Sequence, residues 1–396
     1  MIDNIKQTVR ILYFAPCVLS EGVGGGARLK NMINLLERLD ATIVLLSYWT
    51  GDRFAVTHRK FNNHLSTTTV LVRGTFPRFI KAFAIMLIVL YGLKHVRKSD
   101  VIFTHAPIIT SGFPALIVAK IFRKPLIIDF TDVKERITPK RIYRQILKMA
   151  SAVFVVSRYL EEEATKEGVT NLVYSPGFID PNVFHRDAKT RERIRNILGI
   201  KEREIVIGFA GSFSHVEGVP HLLRAFKNMS NKYKHVKLVI IGGMNVPNSD
   251  DVEQLIKDLN LEGRAIIVPL QPYELMPSYL SAFDIGCSPK IDCKENIAAS
   301  PIKTYEYMSM GMPVVVSDIG QFAHVIENGV DGFLVKPGDE DDLQRALEYI
   351  ILNPDKAMDI GIKAREKVIQ DYSQEAMLGR VSNVLAQVYQ TKENAR

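Results

Sequence analysis

SPIKTYEYMSMGMPVVVSD, residues 300–318, is the stretch on which the reading of the whole chain turns. Ser300 is a good N-cap and Pro301 suits the first helical position, so a helix is expected to start here and to end at Gly311. The backbone N–H groups of Ile302 and Lys303, the helix dipole and the Lys303 ammonium would present positive charge ahead of that helix, which suits a phosphate. Lys303 and Glu306 are three residues apart and share a face. A carboxylate one turn behind a phosphate site can accept hydrogen bonds from ribose hydroxyls, so the ligand expected is a nucleotide. Val314, Val315 and Val316 then read as a strand buried on both faces, as in parallel sheets. Taken alone, the stretch is better read as an ordinary capped helix whose Lys–Glu pair contributes only about 0.3–0.5 kcal/mol.

At 396 residues the chain has room for two or three domains of roughly 100–200 residues. A hydrophobic share of 47% with 24% charged residues is that of a globular protein. The net charge of +8 and pI near 9.2 favour anionic ligands or an anionic membrane surface. No long Lys/Arg block or nucleic-acid motif accompanies that charge, so nucleic acid is not an expected partner. Cys17, Cys287 and Cys293 are too scattered for a disulfide framework and lack a nearby histidine for zinc, so they read as free thiols in a reducing cytoplasm. The opening residues read as a first strand over 9–15 instead of a secretory signal, and the protein is expected to be cytoplasmic.

The first strand leads through the glycine-rich loop EGVGGGAR, residues 21–28, into a helix expected over about 29–39. Strand, glycine loop, helix is a phosphate-binding order in outline, but the glycine spacing is not that of a dinucleotide fingerprint and the next strand, 41–46, carries no acid at its end. Strands are expected at 70–72, 100–104, 125–129 and 152–156, giving an alternating α/β domain. The segment RFIKAFAIMLIVLYGLKHVRK, residues 78–98, has an apolar centre of roughly eleven residues, short of the ~20 that span a bilayer. It reads as a buried helix of the sheet domain, the favoured reading, or as a helix on a membrane surface with Arg78, Lys81, Lys94, Arg97 and Lys98 at lipid head groups. Residues 177–195 read as a linker. A second α/β unit follows, with strands at 205–210, 237–242 and 265–268 and helices near 219–226 and 251–259, and from 341 onward the pattern is helical.

With these residues in view the chain resembles the retaining GT-B glycosyltransferases of the family 4 type. The resemblance rests on SPIKTYEYMSMGMPVVVSDIGQ followed by ENGVDGFLVKPGDEDDL, supported by GGGAR, DVIFTHAP, ASAVFVVSRYLEEEATKEGV with PGFIDPNVF, and GFAGSF. It implies an α/β fold of two Rossmann-like domains facing across a cleft: an acceptor-side domain over 1–185, a nucleotide-sugar donor domain over 186–370, and a helix over 371–396 expected to cross back to the first domain. It also implies that Glu306 binds the donor ribose and that Ser300, Pro301, Ile302 and Lys303 form the phosphate-facing helix start. Gly24, Gly25 and Gly26 would approach the diphosphate, and Gly211 and Ser212 would lie in the donor site. Neither metal nor other cofactor is implied, and no carboxylate pair stands at metal-binding spacing.

The chain departs from the family pattern at several positions. Ala298 stands where many members carry a first glutamate, with Glu295 and Asn296 nearby; Ser212 and Glu217 replace a diphosphate-clamping Arg and Lys; Thr131 and His324 replace a histidine and a glutamate. The transfer expected from the resemblance moves a sugar from a nucleotide-diphosphate sugar to an acceptor hydroxyl with retention, in glycan, glycolipid or cell-envelope polysaccharide synthesis. Lys303 and the helix start would stabilise the departing phosphate, while Asp129, Asp132 and His105 are the candidates for placing a glycan or lipid-linked acceptor. A nucleotide-sugar 2-epimerase of the same fold and a catalytically silent nucleotide-sugar-binding subunit are the alternatives.

Overall fold

The computed structural model describes residues 8–17, 24–50, 53–73, 76–106, 108–131, 138–243, 251–300 and 302–394. Asp132 and Pro301 lie outside them. The chain divides into two compact units, the first comprising residues up to Glu21, Gly25–Pro176 and Met377 onward, the second Gly22–Gly24 and Gly177–Ala376.

The first unit is built on eight strands: β1 (Arg10–Ala15), β2 (Thr42–Thr50), β3 (Ala55–Lys60), β4 (Leu65–Val72), β5 (Val101–His105), β6 (Leu126–Phe130), β7 (Ala152–Val155) and β8 (Leu172–Tyr174). They form one sheet in the order β3-β4-β2-β1-β5-β6-β7-β8, parallel except for the edge strand β3. The unbroken apolar runs ILYFA, VIFTH and LIIDF explain the parallel arrangement. Helices cover both faces of such a sheet, so successive residues are all buried instead of alternating. Leu12, flanked by Val44 on β2 and Ile102 on β5, sits at the centre of the order.

The second unit carries β9 (Ile205–Ser212), β10 (Val236–Gly243), β11 (Ala265–Pro269), β12 (Ile285–Ser288), β13 (Val314–Ser317) and β14 (Phe333–Val335). Its order is β11-β10-β9-β12-β13-β14, parallel throughout. Val314, Val315 and Val316 are fully buried, as their run predicts. Two strand glycines make room for rings: a Cβ on Gly208 would stand 1.9 Å from Phe283, and one on Gly286 would stand 2.6 Å from Tyr307. In both sheets the order reverses beside the first strand, between β1 and β5 and between β9 and β12. Such reversals open a crevice at the carboxyl ends of the strands, where ligands bind in open α/β sheets.

Several expectations are corrected. The short strands β8, β12 and β14 and the antiparallel edge β3 carry too few apolar residues in sequence to stand out from turns. Residues 177–195 are not simply a linker, because helix Ala188–Ile197 begins within them, capped by Asp187 accepting from Thr190 N–H at 2.7 Å. The glycine loop is largely helical, since the helix expected near 29 starts at Gly24 and runs to Arg38. Helix Gln374–Asn394 is the last described element, and Arg380 donates to the Tyr174 carbonyl at 3.0 Å within the first unit.

The apolar segment forms a 19-residue helix, Arg78–Val96, and the buried reading fails for most of it. Only Ala84, Ile88, Gly92 and Val96, every fourth residue, are buried, whereas Phe79, Phe83, Met86 and Leu90 are exposed. Gly92 explains the seat of the narrow packed stripe. A Cβ there would stand 2.9 Å from both Phe14 and Val118, so the helix approaches β1 and its neighbouring helix Gly112–Phe122 at glycine distance.

Candidate functional site

The order reversal of the second sheet places Gly211 and Ser212 at the end of β9 and Lys290 just beyond β12. Helix Ile302–Ser309 lies in the same unit, and Gly311 follows it at φ 71°, the left-handed stop expected there. Ala210 N–H donates to the buried Tyr307 hydroxyl at 2.7 Å, which ties the helix to β9 and fixes which way Lys303 and Glu306 face.

Lys303 reaches over the strand end. Its Nζ would be 2.5 Å from a Cβ on Gly211 and lies 4.5 Å from the centre of the Phe209 ring. Gly211 is therefore the space the ammonium occupies. Lys303 forms an ion pair with Glu217, whose other oxygen accepts from Lys290 Nζ at 2.8 Å. Lys290 also donates to Asn296 Oδ1 at 3.1 Å, and Asn296 in turn donates to the Val216 and Ile291 carbonyls at 2.8 Å each. Gly218 makes the encounter possible. At φ 70° it follows Glu217, and a Cβ there would stand 1.8 Å from the Pro289 carbonyl oxygen, so only glycine lets the turn close onto the segment carrying Lys290.

Two lysines and one carboxylate leave a net positive charge at the crevice. Burial alone would raise the Glu217 carboxyl, but Lys290 and Lys303 more than offset it and hold it at about 2. Burial lowers the Lys303 ammonium from its ordinary value, and the Glu217 carboxylate counters part of that shift. Glu306 is 5% exposed. Burial pushes its carboxyl up to about 7, against a hydrogen bond from Tyr273 and the charge of Lys303.

Other candidate residues fall into place differently. The Ser300 hydroxyl accepts from Gly177 N–H at 2.8 Å and shares a hydrogen bond with Tyr305 at 3.1 Å. Ile302 opens the helix and is buried. Near the departure at Ala298, which is buried, Glu295 is exposed, and the Asn296 amide is bonded to Lys290 and to two backbone carbonyls. His324 is exposed.

In the first unit, Asp129 and His105 come together at the ends of β6 and β5, with His105 Nδ1 3.2 Å from Asp129 Oδ2. Both are buried, and Asp129 also accepts from Arg28 at 2.8 and 3.2 Å. Arg28 continues to the Pro176 carbonyl and to Ser175 at 3.0 Å. Burial would raise the Asp129 carboxyl, but Arg28 and His105 hold it far below the usual range. These are the bonds of a structural anchor. Asp129 is thereby held as the counter-charge of Arg28. Gly24, Gly25 and Gly26 lie in the first turn of their helix.

Sequence reading missed Lys290, Tyr273 and the acceptor role of Glu217. Lys290 follows β12 by two residues, so recognising IGCS as a strand would have pointed to it. Nothing in the sequence links it to Glu217, 73 positions away.

Residues 190–367, which contain this crevice, match the family described as glycosyl transferases group 1. This stretch is similar to the glycosyl transferases of group 1. Alpha-D-kanosaminyltransferase of Streptomyces kanamyceticus is 26% identical over 294 residues, covering 68% of this chain and 73% of that protein. D-inositol 3-phosphate glycosyltransferase of Corynebacterium kroppenstedtii is 27% identical over 183 residues, 45% of this chain and 40% of that one. Sucrose-phosphate synthase from Thermosynechococcus elongatus superposes with a TM-score of 0.77 at 19% identity, over 97% of this chain and all of that chain. HepE of Anabaena, solved with UDP and glucose, superposes at 0.74 with 20% identity over 96% of this chain and all of that one. The fold is GT-B, and the matched stretch lies in its second Rossmann-like half.

Proposed function

We propose that this protein transfers a sugar from a nucleotide-diphosphate sugar to an acceptor hydroxyl with retention at the anomeric carbon, in glycan, glycolipid or cell-envelope polysaccharide synthesis. The observation that carries the reading is the pairing, on one helix of the matched stretch, of a crevice-facing Lys303 with a buried Glu306 one turn behind it. Glu306 is suited to accept hydrogen bonds from both ribose hydroxyls, and Lys303 with the first-turn N–H groups is suited to the diphosphate. The likeness to HepE, solved with UDP-glucose, and to relatives named as glycosyltransferases supports such a donor.

In this reading the bond between the anomeric carbon and the phosphate oxygen breaks while the acceptor oxygen bonds to the same face. The acceptor proton passes to the departing phosphate oxygen. Lys303 stabilises the charge that develops there, and Glu217 and Lys290 hold Lys303 over the strand end so that little rearrangement is needed. The cation supplied by lysine makes a divalent ion dispensable, which is part of the proposal.

A binding-only subunit is the second reading, because Glu217 already neutralises part of the charge that a diphosphate would meet. Calorimetry of UDP and GDP, with and without Mg²⁺, on wild type and Glu306→Ala tests the donor site. Metal-independent binding of one nucleotide that weakens in the variant supports it, and no binding of either sinks it. Donor hydrolysis or transfer across an acceptor panel then separates enzyme from silent subunit.

A further inference from the structure

The helix Arg78–Val96 is, among the described residues, the single helix long and apolar enough to cross a membrane. Its packed stripe of Ala84, Ile88, Gly92 and Val96 keeps it on the sheet, with Gly92 in contact with Phe14 and Val118. It cannot both keep that seat and span a bilayer. On the side opposite the stripe, Phe79, Phe83, Met86 and Leu90 are 72%, 47%, 47% and 51% exposed. At 100° per residue these four fall within one arc of the helix, about 180° from the packed stripe. Phe54 stands beside Phe83 with ring centres 6.0 Å apart and widens the apolar face.

The sequence segment that carries this face has one sign of charge. Residues 53–99 contain nine Lys or Arg residues (Arg53, Arg59, Lys60, Arg73, Arg78, Lys81, Lys94, Arg97 and Lys98) and no Asp or Glu. The nine positive charges exceed the net +8 of the whole chain. Arg78 opens the helix and Lys94, Arg97 and Lys98 close it, all exposed, whereas Lys81 lies on the packed side and is partly buried. Within the described residues none of these five closes an ion pair. A protein partner with a mixed surface would leave several of these cations unmatched. A plane of negative head groups over hydrocarbon matches both features at once, taking the rings and Met86 below the head groups and the flanking cations at their level.

We infer that this face docks the protein on an anionic lipid surface, with the helix lying in the interface. It would hold the first unit against the membrane whatever the chemistry of the second, so the inference stands apart from the transferase reading.

The test is co-sedimentation of the full chain with phosphatidylcholine vesicles, with and without phosphatidylglycerol, at low and high salt. The expected result is binding to the anionic vesicles alone, reversed by salt. The double variant Phe79→Glu/Phe83→Glu is expected to abolish it and Lys94→Glu/Arg97→Glu to weaken it at least about ten-fold. Met358→Glu, at an exposed apolar site in the second unit, should change nothing. Circular dichroism and thermal unfolding show whether each variant folds. No binding at low salt, equal binding to both vesicle types, or retained binding in folded Phe79→Glu/Phe83→Glu overturns the inference. A dimer seen by sedimentation that this variant dissolves, with no vesicle binding, would assign the face to a second copy instead.

Discussion

Lys303 and Glu217 lie 86 positions apart in the chain and form an ion pair at the carboxyl end of β9, with side chains 14% and 13% exposed. Lys290 joins on the other carboxylate oxygen, so one acid holds two cations that would otherwise repel. Removing it while keeping its shape should leave both lysines uncompensated. Glu217→Gln is expected to destabilise the ligand-free protein by roughly 3 kcal/mol, as for a broken buried pair, and a nucleoside diphosphate should restore more stability to the variant than to wild type. Thermal unfolding with and without UDP or GDP reads both effects. An unchanged midpoint would show that the triad contributes nothing to folding.

The same carboxylate sets an acid limit. Glu217 is depressed to about 2, so the stability it contributes is present above the ordinary glutamate value of 4.5 and is lost as the pH falls toward about 2. A shift of that size corresponds to about 3 kcal/mol. Denaturant titrations over this range should show a shallower acid limb for Glu217→Gln than for wild type.

Glu306 behaves in the opposite sense. Its folded value of about 7 lies above the unfolded 4.5, so its contribution is fully present below 4.5 and is lost as the pH rises through about 7. Ribose hydroxyls that donate to the carboxylate would favour its charged form, so nucleotide binding near neutral pH should release a proton. Calorimetry in buffers of different ionisation enthalpy should detect that release in wild type and lose it in Glu306→Gln. The variant should also bind roughly 30-fold more weakly, about 2 kcal/mol for lost charge-assisted hydrogen bonds.

Two glycines of β9 should separate function from folding. In Gly211→Ala the new Cβ meets the mobile end of Lys303, at 2.5 Å from Nζ, so the ammonium moves aside and nucleotide binding weakens in a folded protein. In Gly208→Ala the Cβ meets the Phe283 ring at 1.9 Å, where no flexible end can yield, and stability falls by about 1–3 kcal/mol or more. Unfolding midpoints and nucleotide affinities measured on both variants check the contrast. Equal loss of stability would remove the case for Gly211 as space for the ammonium.

Arg28→Ala should likewise act through folding. It leaves the buried Asp129 carboxylate without its guanidinium, which costs about 3–5 kcal/mol. Chemical denaturation reads the effect, and a loss under 1 kcal/mol would favour Asp129 as a site residue instead.

The parallel sheets were legible in the sequence because fully buried strands are written as apolar runs, ILYFA and VVVS among them, and because Gly311 supplies the φ that stops its helix. Lys303 and Glu306 were legible too, since three positions on a helix fix a common face without reference to anything distant. Composition also carried the positive charge of residues 53–99. Tertiary structure alone decided the rest. Whether Arg78–Val96 is core or surface depends on which stripe meets Phe14 and Val118, and its sequence, apolar nearly all round, marks no stripe. Asp129 reads as a strand-end candidate until folding brings Arg28 against it from 101 positions away. Glu217 reads as the loss of a cation until the turn at Gly218 sets it between Lys290 and Lys303. Local periodicity records the conformation of a segment, whereas the partner of a buried charge is chosen by the packing of strands far apart in the chain.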